Sequence, residues 1–402
     1  MSNFVSYNYE LMTQESFFDS FLTEEGRLFG LVVLSVLGAM FLVQMIIYLF
    51  VYGRLRRYRN PAGSEKVAQT GISVIIPLYD ADFGFMNERL PQFLAQTHPL
   101  YEVIVVDVTG DQDIAEQLKL MHHGWGDKLS YTRISLNSKI RHISTKMALN
   151  VGIKGARYDN IIFSLPECAP RTERWAEMMA RGFAGGHDVV LGYASILPEK
   201  GLANKIVRCA NMALSTRWLS FAVRNRGYRG TLCNIGITKK IYFSARGFNY
   251  LNLNMGEDDL FVMHLANRTN TVATMGGSAT INQKSWGGLD WWFKRRVKLS
   301  YPYRYYPRRV KWGTGIELWS RALFFVAAIV AIAALPFASK MLAVGLLVLR
   351  YVIVWWQMKS VARRLSERGF LAAYWIYDLF APIAEAVLYV CRELTPTQKW
   401  RE

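Results

Sequence analysis

The chain has 402 residues, enough for two or three structural units, and 51% of them are hydrophobic, with a mean hydropathy of +0.09. That apolar excess argues against a wholly soluble globule, and a net charge of +17 argues against partners that are themselves basic. Four cysteines (Cys168, Cys209, Cys233 and Cys391) show no metal-binding spacing, which leaves neither a zinc site nor a disulfide framework to expect.

Residues 1–27 read as an extracytoplasmic tail containing Glu10, Glu15, Asp19, Glu24 and Glu25. Residues 28–52 follow as a transmembrane helix. A cleavable signal peptide is not expected: the apolar run is too long, acids precede it and no small-residue cleavage site follows. Arg54, Arg56, Arg57 and Arg59 come next, so the positive-inside rule puts the N-terminus outside and residues 53–313 in the cytoplasm.

Residues 60–70 read as a linker. Apolar strands then alternate with amphipathic helices. Strands are expected at 72–78, 102–108, 128–136, 160–165 and 188–196. Helices are expected at about 86–97, 112–123, 143–156 and 171–184. This is the signature of an α/β unit with a mostly parallel sheet, whose ligands bind beyond the carboxyl ends of the strands. The unit runs over 53–283. Residues 284–313 form an aromatic and basic amphipathic segment suited to the headgroup zone. Residues 314–402 form a C-terminal membrane region with apolar stretches near 318–337 and 341–358. A third stretch, near 370–391, carries Asp378 and Glu385; a span with buried carboxylates and a helix lying in the interface are both open there. The basic charge tracks the membrane borders and no nucleic-acid motif accompanies it, so lipid headgroups, not nucleic acid, are its expected partners.

Six stretches carry candidate chemistry. Asp80 and Asp107 stand at strand ends in "SVIIPLYD" and "YEVIVVDVTGDQD", where they serve either as turn caps or as acceptors for a base or ribose. Lys146, in "STKMALNVGI", stands at a helix start, a natural place for a diphosphate and equally for a solvated lysine. In "MGEDDLFVMHL", Glu257, Asp258 and Asp259 precede an apolar helix; they can favour its N-terminus or supply a general base. "WWFKRRV" (291–297) is either a plain interfacial helix or a cover over a bound sugar and diphosphate. "NIIFSLPECAP" ends a buried strand in a single carboxylate, Glu167.

Taken together, the order and spacing of these stretches resemble the membrane-bound family 2 glycosyltransferases, inverting enzymes of GT-A fold related to cellulose, hyaluronan and ceramide-glucosyl synthases. "SVIIPLYD…LPQFLAQTHPLYEVIVVDVTGDQD" is similar to that family's opening and nucleotide-binding Asp, "TKMALNVGIKGARYDNIIF" to its Lys-x-x-Ala-Leu-Asn-x-Gly-Ile segment, and "GEDDLFV" to its Glu-Asp motif. The resemblance spans roughly 70–300 and implies a Rossmann-like GT-A domain flanked by one N-terminal and two to three C-terminal transmembrane helices. It implies transfer of a sugar, with inversion, from a nucleotide-diphosphate sugar, expected to be uridine-linked, to a lipid or glycan acceptor at the cytoplasmic face of an inner-type membrane. Protein partners of a glycan-assembly system would fit that setting.

By the same resemblance Asp80, Asp107, Lys146, Arg295 and Arg296 would hold the donor, and Asp258, with Glu257 beside it, would deprotonate the acceptor. Trp286, Trp291 and Trp292 would face the acceptor and interface. A divalent metal, Mg or Mn, would sit on Glu167. Two departures stand out. The family's Asp-x-Asp reads Leu165-Pro166-Glu167 here, and its Gln-x-x-Arg-Trp reads Phe293-Lys294-Arg295-Arg296-Val297, keeping only Arg296. Both concern the donor diphosphate. They leave a weakly metal-bound enzyme, one using basic side chains instead, and a nucleotide-, glycan- or partner-binding scaffold without turnover all open. An unrelated membrane α/β protein, such as a transporter subunit, is the remaining class.

Overall fold

A computed structural model describes residues 24–134, 144–249 and 256–394. The tail before residue 24, the end of the third expected strand at 135–136 and Met255 lie outside the described residues. The chain divides into two compact units. One holds Met1–Gly53 with Arg308–Met358; the other holds Arg54–Pro307 with Lys359–Glu402.

The larger unit is built on a seven-stranded sheet of order β3-β2-β1-β4-β8-β6-β9. Its strands are β1 (Ile72–Leu78), β2 (Tyr101–Asp107), β3 (Leu129–Arg133), β4 (Asn160–Phe163), β6 (Val189–Gly192), β8 (Ile235–Thr238) and β9 (Thr271–Thr274). All run parallel except β8, which is antiparallel to both β4 and β6. The α/β, mostly parallel architecture expected from the sequence is the one observed. Both faces of β1 and β2 are buried, which is why they read as continuous apolar runs and not as alternating ones. Val74, Ile76, Val103 and Val105 face a core with Phe93, Trp175 and Met179. Ile75 and Val106 face the opposite side, where the helix Thr145–Gly155 packs.

The strand order turns back between β1 and β4, so the crevice beyond their carboxyl ends is the switch point where ligands of such sheets bind. After β4 the chain crosses Leu165–Glu167 and enters a small sheet of order β5-β10-β7, with β5 (Cys168–Pro170), β7 (Ala194–Ile196) and β10 (Ile281–Gln283). The stretch 188–196, expected as one strand, therefore serves two sheets, breaking at Tyr193. Asn234 holds the break. Its Nδ2 donates to the carbonyls of Tyr193 (2.9 Å) and Ala279 (3.0 Å), and its Oδ1 accepts from Trp175 Nε1 at 3.1 Å. A side chain at residue 192 would collide with Asn234, so Gly192 is what lets that amide in. The helix expected at 86–97 is also split, into a π-helical turn Phe85–Arg89 and the α-helix Leu90–Leu94.

The C-terminal segment belongs to this unit through a buried ion pair. Arg208 Nη2 donates to Glu367 Oε2 at 2.8 Å, while Tyr193 and Ser195 donate to Glu367 Oε1 at 2.9 and 2.5 Å. The helix Tyr374–Leu394 buries Tyr374, Asp378, Ala381, Leu388 and Arg392 on one face. It packs on the helices Leu202–Ala222 and Leu289–Ser300.

The smaller unit packs the helix Glu24–Met45 against Arg308–Ala334, with Leu37, Phe324, Ala328 and Ala331 buried between helices. Two polar contacts lie within its apolar walls. Arg350 Nε donates to Gln44 Oε1 at 2.6 Å, and Tyr48 donates to Glu317, which also pairs with Arg321. Among the described residues, four helices are long and apolar enough to cross a membrane: Gly26–Arg57, Arg308–Ala334, Phe337–Arg364 and Leu371–Leu394.

Gly152 is where the 145–155 helix meets the sheet; a Cβ there would overlap Ile75 and come within 3.2 Å of Val106 Cγ2. We expect Gly152→Val to lower stability by about 1–3 kcal/mol, as overpacking does. Gly155→Ala, with open space beside it, should leave the melting temperature unchanged or slightly raised. Thermal unfolding of the detergent-solubilised protein checks both.

Candidate functional site

Beyond the strand ends lies a cleft of about 290 Å³. It collects Glu167 from the turn after β4, Glu257 and Asp258, Arg229, and Trp292, Arg295 and Lys298 from the helix Leu289–Ser300. Of the residues singled out in the sequence, it thus brings together Glu167, Glu257, Asp258, Trp292 and Arg295. Thr145, at the start of the 145–155 helix, lines it too.

The three consecutive acids are sorted by burial. Asp259 is fully buried and caps the helix Leu260–Leu265 by accepting from Leu260 N at 2.6 Å; Tyr306 Oη donates to its other oxygen at 2.7 Å. Burial raises its carboxyl to about 7, with Asp258 adding to the rise and Arg229 and Tyr306 opposing it. Glu257 is also raised to about 7, first by burial; Lys146 opposes the rise and Asp258 and Asp259 add to it. Asp258 is the most open of the three. Its Oδ2 lies 3.4 Å from Arg229 Nη2, and its carbonyl accepts from Gly230 N at 2.7 Å. Burial alone would lower Arg229, but Asp258, Tyr306 and Asp259 hold its guanidinium above the ordinary value.

Arg229 is the principal site residue that sequence reasoning missed. Its signal is the pair of glycines in "GYRG". A Cβ at Gly227 or Gly230 would press on Leu191, at 3.1 Å in each case, so the loop lies against the sheet and carries Arg229 into the interior. Gln283 and Lys298 are further cleft residues with no motif to betray them.

The donor-side residues are more dispersed. Lys146 is half-buried on the first turn of its helix, where burial lowers its ammonium and Glu257 raises it. Asp107 is fully buried. Its Oδ1 accepts from Thr109 N (2.9 Å) and Thr109 Oγ1 (2.6 Å), and its Oδ2 lies 3.6 Å from Arg133 Nε. Asp80 is exposed. None of these three lines the cleft. Arg296 points away from it and pairs with Glu385 at 2.9 Å. Trp286 is exposed, with Lys284 Nζ 4.7 Å over its ring, and Trp291 carries Arg295 at 5.5 Å.

The position expected to hold a metal carries an ion pair. Glu167 Oε1 lies 3.6 Å from Arg295 Nη1 and accepts from Gln283 Nε2 at 3.2 Å. The neighbouring carbonyl of Pro166 accepts from Arg89 Nε at 2.7 Å. A hard divalent cation wants several oxygen ligands. This turn offers it one carboxylate with a guanidinium already beside it, and among the described residues no three His, Cys, Asp or Glu side chains cluster to hold an ion. The residues present do not fit a protein-held metal centre.

No protein-family model matches the chain, and no curated protein matches it. Among solved structures it is similar to mannosyltransferase PcManGT from Pyrobaculum calidifontis, in complex with GDP-Man and Mn2+. The identity is 14% and the TM-score 0.52, over 88% of this chain and 99% of that one. A weaker likeness is to S. aureus TarS 1-349 in complex with UDP-GlcNAc, at 15% identity and a TM-score of 0.39, over 77% of this chain and 91% of that one. The chain has a glycosyltransferase fold.

Both raised carboxyls keep protons in the native state that the unfolded chain has released. Their contribution to stability is full below their ordinary values of 4.5 (Glu257) and 3.8 (Asp259) and is lost as pH rises to about 7. Stability should therefore fall across that window, and Glu257→Gln should flatten the fall. Urea midpoints measured from pH 4.5 to about 8 check this; an unchanged slope in Glu257→Gln contradicts the assignment.

Proposed function

We propose that the protein is a membrane-associated, inverting family 2-type glycosyltransferase. It would take a nucleotide-diphosphate sugar, uridine-linked in the first instance, and transfer the sugar to a lipid or glycan acceptor. The observation that carries this reading is the cleft itself: a carboxylate at the Glu-Asp position and a guanidinium at the altered metal position share one cavity at the switch point of a Rossmann-like sheet.

In this mechanism Asp258 takes the proton of an acceptor hydroxyl as its oxygen attacks the anomeric carbon. A new C–O bond forms on one face of the sugar, the C–O bond to the diphosphate breaks on the other, and the configuration inverts. Arg229 holds the Asp258 carboxylate in place. The nucleotide diphosphate, already doubly negative in the donor, takes a further charge with the electron pair of the breaking C–O bond, and that charge must be met. Arg295 and Lys298 face it from the amphipathic helix, and Lys146, outside the cleft lining, adds its charge from beside Glu257, so positive side chains do the electrostatic work. Glu257, raised by burial to about 7, carries less negative charge near neutral pH than an ordinary carboxylate would against the leaving group. Asp80 and Asp107 are assigned to the nucleoside, and Trp286, Trp291 and Trp292 to the acceptor side. The acids before the 28–52 segment and Arg54, Arg56, Arg57 and Arg59 after it support a cytoplasmic position for the domain.

The test is nucleotide release from UDP-sugars by the purified protein. Asp258→Asn should reduce it by about 10²–10⁴-fold with UDP binding unchanged. Binding without release above that of Asp258→Asn would establish the scaffold reading instead. A UDP titration separates the two ways of meeting the diphosphate charge. Arg295→Ala should weaken UDP by about tenfold or more, and added Mn²⁺ should change wild-type affinity by less than that. Affinity that depends on Mn²⁺ and is lost in Glu167→Ala would overturn the arginine assignment.

A further inference from the structure

Next to the cleft is a second cavity, of about 400 Å³. Its walls are the helices Leu202–Ala222, Leu289–Ser300 and Tyr374–Leu394, all in the larger unit. The lining is mainly apolar, with Ile206, Ala210, Phe293, Ala381 and Leu388 among it, and two of its charged members, Arg296 and Glu385, neutralise each other. Leu214 and Trp292 line this cavity and the cleft alike, so a single layer of side chains divides them.

The 374–394 helix decides what such a space is for. Its inner face supplies Ala381 and Ala384, whose small side chains leave the room. Its outer face exposes Ile376, Phe380, Ile383, Val387 and Val390. An apolar surface of that extent on one helix is suited to hydrocarbon, not water. The same helix therefore borders a lipid layer outside and an apolar cavity inside, and the cavity borders the carboxylate expected to activate an acceptor. Arg217, Asp290 and Tyr377 add polar groups to the lining, but most of the wall is hydrocarbon, and a methylene chain needs no polar partner. The volume is that of a small-ligand pocket.

We infer that the cavity binds the hydrocarbon chain of a membrane amphiphile that is the acceptor. Its chain lies among the three helices and its hydroxyl end passes Leu214 and Trp292 to reach Asp258. The acceptor role rests on the transferase reading above; the chain site stands on the cavity alone.

The experiment uses the full chain in phosphatidylcholine nanodiscs and a long-chain alcohol bearing a diazirine on its chain. After irradiation, adducts are located by mass spectrometry. Adducts should concentrate in the 202–222, 289–300 and 374–394 helices. They should fall by about tenfold in both Ala210→Trp and Ala384→Trp, each of which fills the cavity. UDP binding should persist in both variants, showing them folded. Adducts spread over the lipid-facing helices and indifferent to both substitutions would overturn the inference. Cavity labelling that responds to the substitutions in a protein binding neither UDP nor GDP would keep the chain site and remove the transferase reading, so the two failures are distinguishable.

Discussion

The hydrogen bond from Tyr306 to the buried carboxylate of Asp259 is the constraint on which the acceptor side of the cleft depends. It joins the start of the 260–265 helix to the segment that follows the amphipathic helix, and it does so without solvent on either partner. With Asp259 fixed as a cap, the two residues before it have no freedom to exchange roles. Both line the cleft, Glu257 buried in its wall and Asp258 the more open of the two. Three identical-looking acids in a row thus acquire three environments, and like-charge crowding is relieved because burial keeps two of them protonated up to about 7.

Arginines manage the remaining charge. Arg229 meets Asp258 and Arg295 meets Glu167, so each cleft carboxylate with solvent access has a guanidinium beside it. Such pairs stabilise little by themselves, since desolvation offsets most of the attraction. Their use is positional. Arg229 aims an acid, and Arg295 stands where an anion would displace Glu167 as its partner.

Much of the fold was legible because burial on both faces writes itself into sequence as unbroken apolar runs. β1 was expected at 72–78 and lies there, and β2 is displaced by one residue. The break at Tyr193 was not legible. Val189–Ile196 is apolar but for Ser195, and what divides it is the Asn234 amide, which comes from a segment some forty residues away in sequence. Within the cleft, the acids announced themselves by clustering, whereas Arg229, Gln283 and Lys298 are ordinary residues made special only by tertiary placement. The polar contacts inside the smaller unit were equally hidden. Arg350 is a cation in the apolar middle of its helix until Gln44 and the rings of Phe325 and Tyr351 are brought around it.

The amphipathic helix 289–300 explains why donor and acceptor features were tangled in one stretch of sequence. Successive residues on a helix point about 100° apart, so neighbours face different places. Trp292, Arg295, Lys298 and Leu299 line the cleft, while Leu289, Trp292, Phe293 and Arg296 line the apolar cavity. Each set follows the three-and-four spacing of one helical stripe, and the stripes cross at Trp292. A motif read linearly assigns Arg295 and Arg296 to one diphosphate; helical geometry gives the first to the charged cleft and the second to Glu385 across the apolar cavity. One helix thereby presents a cationic edge to one chemistry and a hydrocarbon edge to another, with an indole as their common wall.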